Sequence, residues 1–259
     1  MKKRGLSHIE VILSFIIFIG AVGFALYFFS PTNSSRLVDT SLDYINREIS
    51  KNITVNLKTY SINVNNTPDA NGNSLSNPPY SNTLPLQIDG ICSQNNGLRV
   101  ENISGEVLPS RIGQGGSGCS SGGDKIYVKN EAGWEESDFI YVKVSEDLNN
   151  TENSNSVGNP PLNEGLYKIS TVNSEELFSE KRILGLNKTY YENYYELKEQ
   201  FNLPRRVNFG FSFSFTNGDE IKVERMIPSG LEVFSKVDRV EVLRKNGKVE
   251  YADFIMKVW

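Results

Sequence analysis

The stretch MKKRGLSHIEVILSFIIFIGAVGFALYFF, residues 1–29, decides how the rest of this 259-residue chain is read. Val11 to Phe29 carries no formal charge and is long enough to cross a bilayer core as a helix, which takes about 20 residues. Lys2, Lys3 and Arg4 precede it, then Gly5 and Leu6, and one carboxylate, Glu10, stands at its threshold. A lone carboxylate in lipid costs roughly 2.5 kcal/mol or more, so such a residue is normally paired or functional, unless Glu10 lies at headgroup level and is simply solvated. By the positive-inside rule the basic residues stay cytoplasmic and the chain from Ser30 onward faces out. A removable secretory signal has a shorter apolar core and a small-x-small cleavage site, for which Phe28-Phe29-Ser30-Pro31-Thr32 is a poor match. A plain signal anchor accounts for the length and the charge and gives Glu10 no role.

Lys3-Arg4-Gly5, Leu6, Glu10 and the unbroken apolar run together resemble the class III signal sequence of type IV pilins and pilin-like proteins. The resemblance covers residues 1–30 and implies that prepilin peptidase cuts between Gly5 and Leu6. The mature chain then begins at Leu6 and keeps its apolar helix. It also implies that Glu10 pairs with the Leu6 amine of a neighbouring subunit during filament assembly. Residues 1–5 are thus expected to be a cleaved leader and 6–30 a transmembrane and polymerisation helix. An amphipathic helix is expected over 31–51, and 52–259 as an extracytoplasmic β-rich domain. The expected partners are prepilin peptidase, other pilin-like subunits and membrane lipid. The expected location is the cytoplasmic (inner) membrane, single pass, and the cell surface after assembly.

The formal charge of −4 becomes −7 without Lys2, Lys3 and Arg4, before the new amine is counted. An acidic ectodomain with no basic patch argues against nucleic acid as a partner. The two cysteines, Cys92 and Cys119, both follow the anchor. In an oxidising compartment they are expected to form one disulfide, worth roughly 3 kcal/mol for a loop of this length. Asparagine is abundant, at 28 residues, and six glycosylation sequons follow from it, at Asn33, Asn52, Asn65, Asn102, Asn149 and Asn187. Chance alone gives about four at this Ser and Thr content, so modification is permitted rather than demanded.

Beyond Pro31, Val38, Leu42, Ile45 and Ile49 recur at helical spacing between charged residues, which predicts an amphipathic helix from about Ser34 to Ser50. Ile53, Val55 and Leu57 then alternate, and Tyr60, Ile62 and Val64 alternate in the opposite phase, which predicts a strand with a bulge or bend. Asn65 to Ser81 and Ser145 to Glu164 read as exposed loops. Leu98–Leu108 reads as a hairpin, and Lys125–Lys129, Asp138–Val144 and Leu166–Val172 as strands. Ser174–Phe201 reads as helical, best from Lys188, with Tyr190, Tyr191, Tyr194 and Tyr195 along it. Val207 to Phe215 alternates strictly, and Asn217-Gly218 and Asn246-Gly247 mark two hairpin turns, which predicts a terminal antiparallel meander of about four strands. The expected fold class is therefore α+β. A long N-terminal helix, membrane half plus amphipathic half, packs on an antiparallel β-sheet domain, a pilin-like plan. The Tyr-rich helix before a terminal meander also resembles surface pilin-like proteins of archaea.

Chemistry is scarce. The single histidine is His8, so the ectodomain holds no Ser-His-Asp or Cys-His site and no histidine-based zinc site. Gly113-x-Gly115-x-x-Gly118 matches a dinucleotide fingerprint as a string, but no βαβ context follows. Asp69-x-Asn71-x-Asn73 and the run Asp147, Asn149, Thr151, Asn153 are oxygen-rich without the glutamate that completes a calcium loop. Aromatic residues at i and i+4 in the tyrosine cluster suit a core as well as a binding surface. The expectation is a non-enzymatic structural subunit without metal or cofactor. The alternative is an anchored cell-surface binding protein, adhesin or envelope component, that does not polymerise.

Overall fold

The computed structural model describes residues 8–28, 31–68, 72, 74–91, 97–113, 124–149 and 156–259; in the first two helices it describes side chains at 10–27 and from 40 onward. Helix α1 (His8–Phe28) is almost wholly apolar on every side. Helix α2 (Pro31–Ile53) opens on a proline, whose missing N–H costs nothing in a first turn. Leu42, Ile45, Ile49 and Ile53 follow one stripe of it and are all buried. Two of its last carbonyls are taken by side chains: Thr54 Oγ1 donates to Ser50 O at 2.6 Å and Asn52 Nδ2 to Glu48 O at 2.7 Å.

The chain then passes directly into β1 (Thr54–Val64). There follow β2 (Thr83–Gln87), β3 (Gly97–Asn102), β4 (Val107–Leu108), β5 (Ser110–Ile112), β6 (Lys125–Lys129), β7 (Phe139–Ser145) and β8 (Tyr167–Ser179). Helices α3 (Glu180–Glu192) and α4 (Tyr194–Gln200) lead to β9 (Phe209–Phe215), β10 (Glu220–Val223), β11 (Phe234–Leu243) and β12 (Val249–Val258). Among the described residues nine strands form one curled sheet in the order β10-β9-β12-β11-β8-β1-β7-β3-β4, and β2, β6 and β5 form a second. Pairing is antiparallel except where β11 meets β8, at Val242–Phe178 and Leu243–Ser179. The architecture is α+β.

Both main cores lie on one face of the large sheet. Thr54 of β1 pairs with Phe178, whose ring meets Phe213 and Phe254 edge-on under the helices. Tyr60, Ile62 and Val64 share Thr54's side of the strand, and they pack instead under the small sheet with Leu84, Leu86 and Ile126. Helices cover one half of the face, and β2-β6-β5 covers the other. A smaller cluster, Val55, Leu57, Leu148, Leu177 and Leu243, lies on the opposite face.

This arrangement corrects the bulge expected in β1. The apolar phase reverses between Leu57 and Tyr60 because the covered face changes there, while pairing with β8 continues unbroken from Thr54 to Ser61. A register shift does occur, but after Ser61. Other expectations also change. Ser174–Ser179 is strand, held against β1 with Leu177 and Ser179 buried, so the helix starts only at Glu180. The Ser179 hydroxyl accepts from Arg182 N–H as its cap. The helical run breaks at Asn193. The last four strands are not a meander: two hairpins form, with Gly218 (φ 91°) and Gly247 (φ 77°) in their turns, and β12 returns beside β9. Residues 65–81 are not simply exposed, since Leu75 and Tyr80 enter the core and Asn66 ties Leu75 N–H to the Trp134 carbonyl.

Candidate functional site

Helix α1 has no place in its own fold. From Glu10 to Tyr27 none of the span is buried, and its mean hydropathy is 2.2. Twelve large apolar side chains between Val11 and Tyr27 are exposed, from Val22 at 38% to Leu26 at 69%. At about 1.5–3 kcal/mol for burying each, the rod forgoes on the order of 20 kcal/mol in water. A surface of this kind is covered by lipid or by other helices. Glu10 lies in the first turn, where the helix dipole favours a carboxylate, and it meets no cation among the described residues. Gly5 and Leu6, the expected cleavage pair, lie outside the described residues.

Helix α2 joins the rod's sequence to the domain mainly through its apolar stripe. Leu42, Ile45 and Ile49 sit in the same cluster as Phe254, Met256 and Val242. Around the stripe Lys236 Nζ meets Asp43 Oδ1 at 2.8 Å and Asn46 Nδ2 donates to Asp238 Oδ2 at 2.8 Å. The hydrogen bond to Asp43 pushes the Lys236 ammonium above its ordinary pKa.

No protein-family profile, curated protein or solved structure matches this chain. The site is therefore read from its own residues.

The disulfide expected between Cys92 and Cys119 is corrected: no disulfide bond is present among the described residues. A bridge needs Cα atoms within about 7 Å, which compartment and cysteine count do not supply. Both cysteines lie outside the described residues. Among the described residues flanking them, Asp124 N–H donates to Ile91 O at 2.8 Å.

The sequons scatter. Asn52 closes α2 and is exposed, and Asn149 is exposed after β7. Asn65 Nδ2 donates to Gly165 O at 3.0 Å, and Asn102 Oδ1 receives Ser104 and Glu106 N–H at 3.0 and 2.9 Å. Asn187 lies mid-helix in α3 with its Oδ1 buried and unbonded. The Asn33 side chain lies outside the described residues. Of the oxygen-rich runs, residues 69–71, 73 and 151–153 lie outside them too. Asp147 is already engaged by Arg182 at 2.6 Å and Lys181 at 3.7 Å. Among the described residues no group of three His, Cys, Asp or Glu could hold a metal.

The tyrosines divide by face. Tyr190 and Tyr194 are core: Tyr190 donates to Phe209 O at 2.6 Å, and Tyr194 accepts from Phe209 N–H at 3.2 Å. Burial pushes both phenols above their ordinary pKa. Tyr191 and Tyr195 are exposed.

Sequence reasoning missed two charged groupings. On β3 and β7, Glu101 accepts from Arg99 at 2.6 Å and from Lys143 at 2.6 Å. Burial raises the Glu101 pKa, but the bonds from Lys143 and Arg99 outweigh it and hold the carboxyl below its usual range. Alternate positions on β3 opposite a lysine on β7 could have suggested it, had the pairing been known. The second gathers Lys198, Arg205, Arg206 and Arg225 beside α4, with Arg225 at 4.2 Å over the Tyr194 ring and burial lowering the Lys198 pKa. Lys198 Nζ donates to Arg205 O at 2.8 Å. This local cluster qualifies the expectation of an ectodomain without a basic patch. A cleft of about 380 Å³ lies along β1 and β7, lined by Thr54, Lys58, Tyr60 and Val144 together with Gly90, Ile91 and Arg182.

Proposed function

We propose that this chain is a pilin-like structural subunit, inserted in the membrane by its N-terminal helix and then assembled through residues 6–30 into a type IV pilus-like or pseudopilus filament. The observation that carries the reading is a wholly unburied apolar helix with one carboxylate, Glu10, in its first turn. Prepilin peptidase removes residues 1–5. The apolar helices then leave lipid and pack together, so their surface stays out of water. Glu10 pairs with the Leu6 amine of a neighbour, which offsets the cost of the buried carboxylate and fixes the axial step. The β-domain is carried outside as cargo. An anchored, non-polymerising surface protein uses the same helix and assigns Glu10 nothing.

Intact mass and N-terminal sequence of the protein from native membranes test the cut: a start at Leu6 is expected, and a start at Met1 leaves only the plain anchor. Glu10→Ala should be cleaved and remain in the membrane but assemble poorly; normal filaments from that variant would remove the pairing step.

A further inference from the structure

We infer that one end of the β-domain, the end carrying Met226, Leu231 and Val233 with Arg205, Arg206 and Arg225, rests on the anionic headgroups of the membrane that holds α1. The inference relies on the anchored reading of α1 and not on polymerisation.

Strand pairing brings these residues together. Phe209 and Phe234 both pair with Val258, and Val223 pairs with Phe211, so β9, β10, β11 and β12 share one end. The loop from Arg225 to Val233 joins β10 to β11 at that end, and Arg205-Arg206 enters β9 there. The same end faces the membrane. Asp43 of α2 meets Lys236 and Asn46 meets Asp238, so α2 and β11 rise side by side in the same direction. From Pro31 to Asp43 the helix rises about 18 Å. From Lys236 the strand descends about 7 Å to Phe234. The remaining distance of about 11 Å lies well within reach of the loop, at roughly 3.3 Å per residue. Pro31 itself is only four residues beyond Tyr27, the last residue of the span.

The chemistry of this end suits a lipid surface. Met226 is 94% exposed, Leu231 52% and Val233 38%, and all three lie within one loop, whereas Ile103, Val172 and Val237 are exposed singly elsewhere. Arg205, Arg206 and Arg225 make no ion pair among the described residues. Glu224 is bonded to Lys257 and Lys222, so Glu196, Glu199 and Glu232 stand against Lys198 and the three arginines. Lys198 is itself buried, so the exposed charges here are the three arginines among Glu196, Glu199 and Glu232. Apolar side chains among unpaired cations are the pattern that seats a surface at the headgroup boundary of an anionic membrane.

The full chain is reconstituted into phosphatidylglycerol-containing vesicles with brominated acyl chains, and tryptophan quenching is read as the difference from the parent, whose Trp134 and Trp259 set the baseline. Met226→Trp is expected to lose about half its added fluorescence, as for a side chain at the acyl boundary. Leu231→Trp is the second probe, and Lys248→Trp, in the turn at the far end of β11 and β12, should be unaffected. Arg205→Glu with Arg206→Glu, or phosphatidylcholine vesicles, should weaken the quenching about two-fold or more. Quenching at Met226→Trp and Leu231→Trp no greater than at Lys248→Trp overturns the inference, as does equal quenching in both lipids. Flotation separates the two readings: a chain that floats without quenching keeps the anchor and loses the docking, whereas one that does not float loses both.

Discussion

Two regions of this molecule spend apolar residues in opposite ways. In the domain Phe209, Phe211, Phe213 and Phe215 alternate with Gly210, Ser212 and Ser214, and each ring is buried against α3, α4 or β12. In α1 the apolar residues follow no stripe and none is buried. A stripe with period 2 or 3.6 is the signature of a surface whose partner belongs to the same chain. An element apolar on every side has its partner elsewhere. The contrast assigns α1 to an environment outside the fold before any question of which environment arises.

The contrast is sharpest under truncation. Phe213 is fully buried and stacks on Phe254 with ring centroids 4.7 Å apart and planes 8° apart. Phe213→Ala should cost about 3–5 kcal/mol, read as a lower denaturation midpoint of the full chain in detergent. Phe18, 62% exposed, offers the same chemistry without the packing. Phe18→Ala should leave the domain's midpoint unchanged within about 0.5 kcal/mol. Equal losses from both would show that α1 is part of the domain's cooperative unit and would end the comparison.

A smaller effect tests the charged side of the domain. Glu101 has a folded pKa below its unfolded value of about 4.5. Its stabilising contribution is therefore present above that value and is lost as pH falls through the folded pKa. Glu101→Gln should cost about 1–3 kcal/mol at neutral pH, since Arg99 and Lys143 lose an ionised acceptor. The difference should close as the pH falls through the folded pKa of Glu101. Unfolding of both proteins from pH 7 to pH 2 checks it, and parallel curves across that range would mean that the triad carries no ionic stabilisation.

What was legible in the sequence follows from how local each signal is. The apolar run, the stripe of α2, β6, β7, the β3–β4 hairpin and the two Asn-Gly turns are properties of neighbouring residues, and they read correctly. The order β10-β9-β12-β11 is set by which hairpin faces which, and nothing in a turn records that. The reversal in β1 looked like a bulge because one sequence shows only that the phase changes, not that the covering layer does. β2 (Thr83–Gln87) carries Pro85 and shows no clean alternation, yet it is an edge strand, where proline is tolerated. The cysteine pairing failed because compartment says nothing of distance. The gathering of Arg205, Arg206 and Arg225 needed the pairing of β9 with β10, although the dipeptide itself was in plain view.

The joint between the two regions gives the smallest effect. Asp43 and Lys236 tie α2 to β11, yet their side chains are 67% and 40% exposed. Solvent screens such a pair, and ordering two long side chains offsets part of the attraction. Lys236 has a raised folded pKa through its bond to Asp43, so its contribution is complete below the unfolded pKa near 10.5 and fades as pH rises through the folded value. At neutral pH Lys236→Ala should cost no more than about 0.5 kcal/mol, and salt should shrink even that. Ile45 and Ile49, wholly buried one turn apart on the same helix, hold the joint. A loss of several kcal/mol from Lys236→Ala, read from the same denaturation curve, would move the joint from the apolar stripe to the ion pair. Helix α2 would then be docked by charge, and the rod's orientation on the domain would become sensitive to salt.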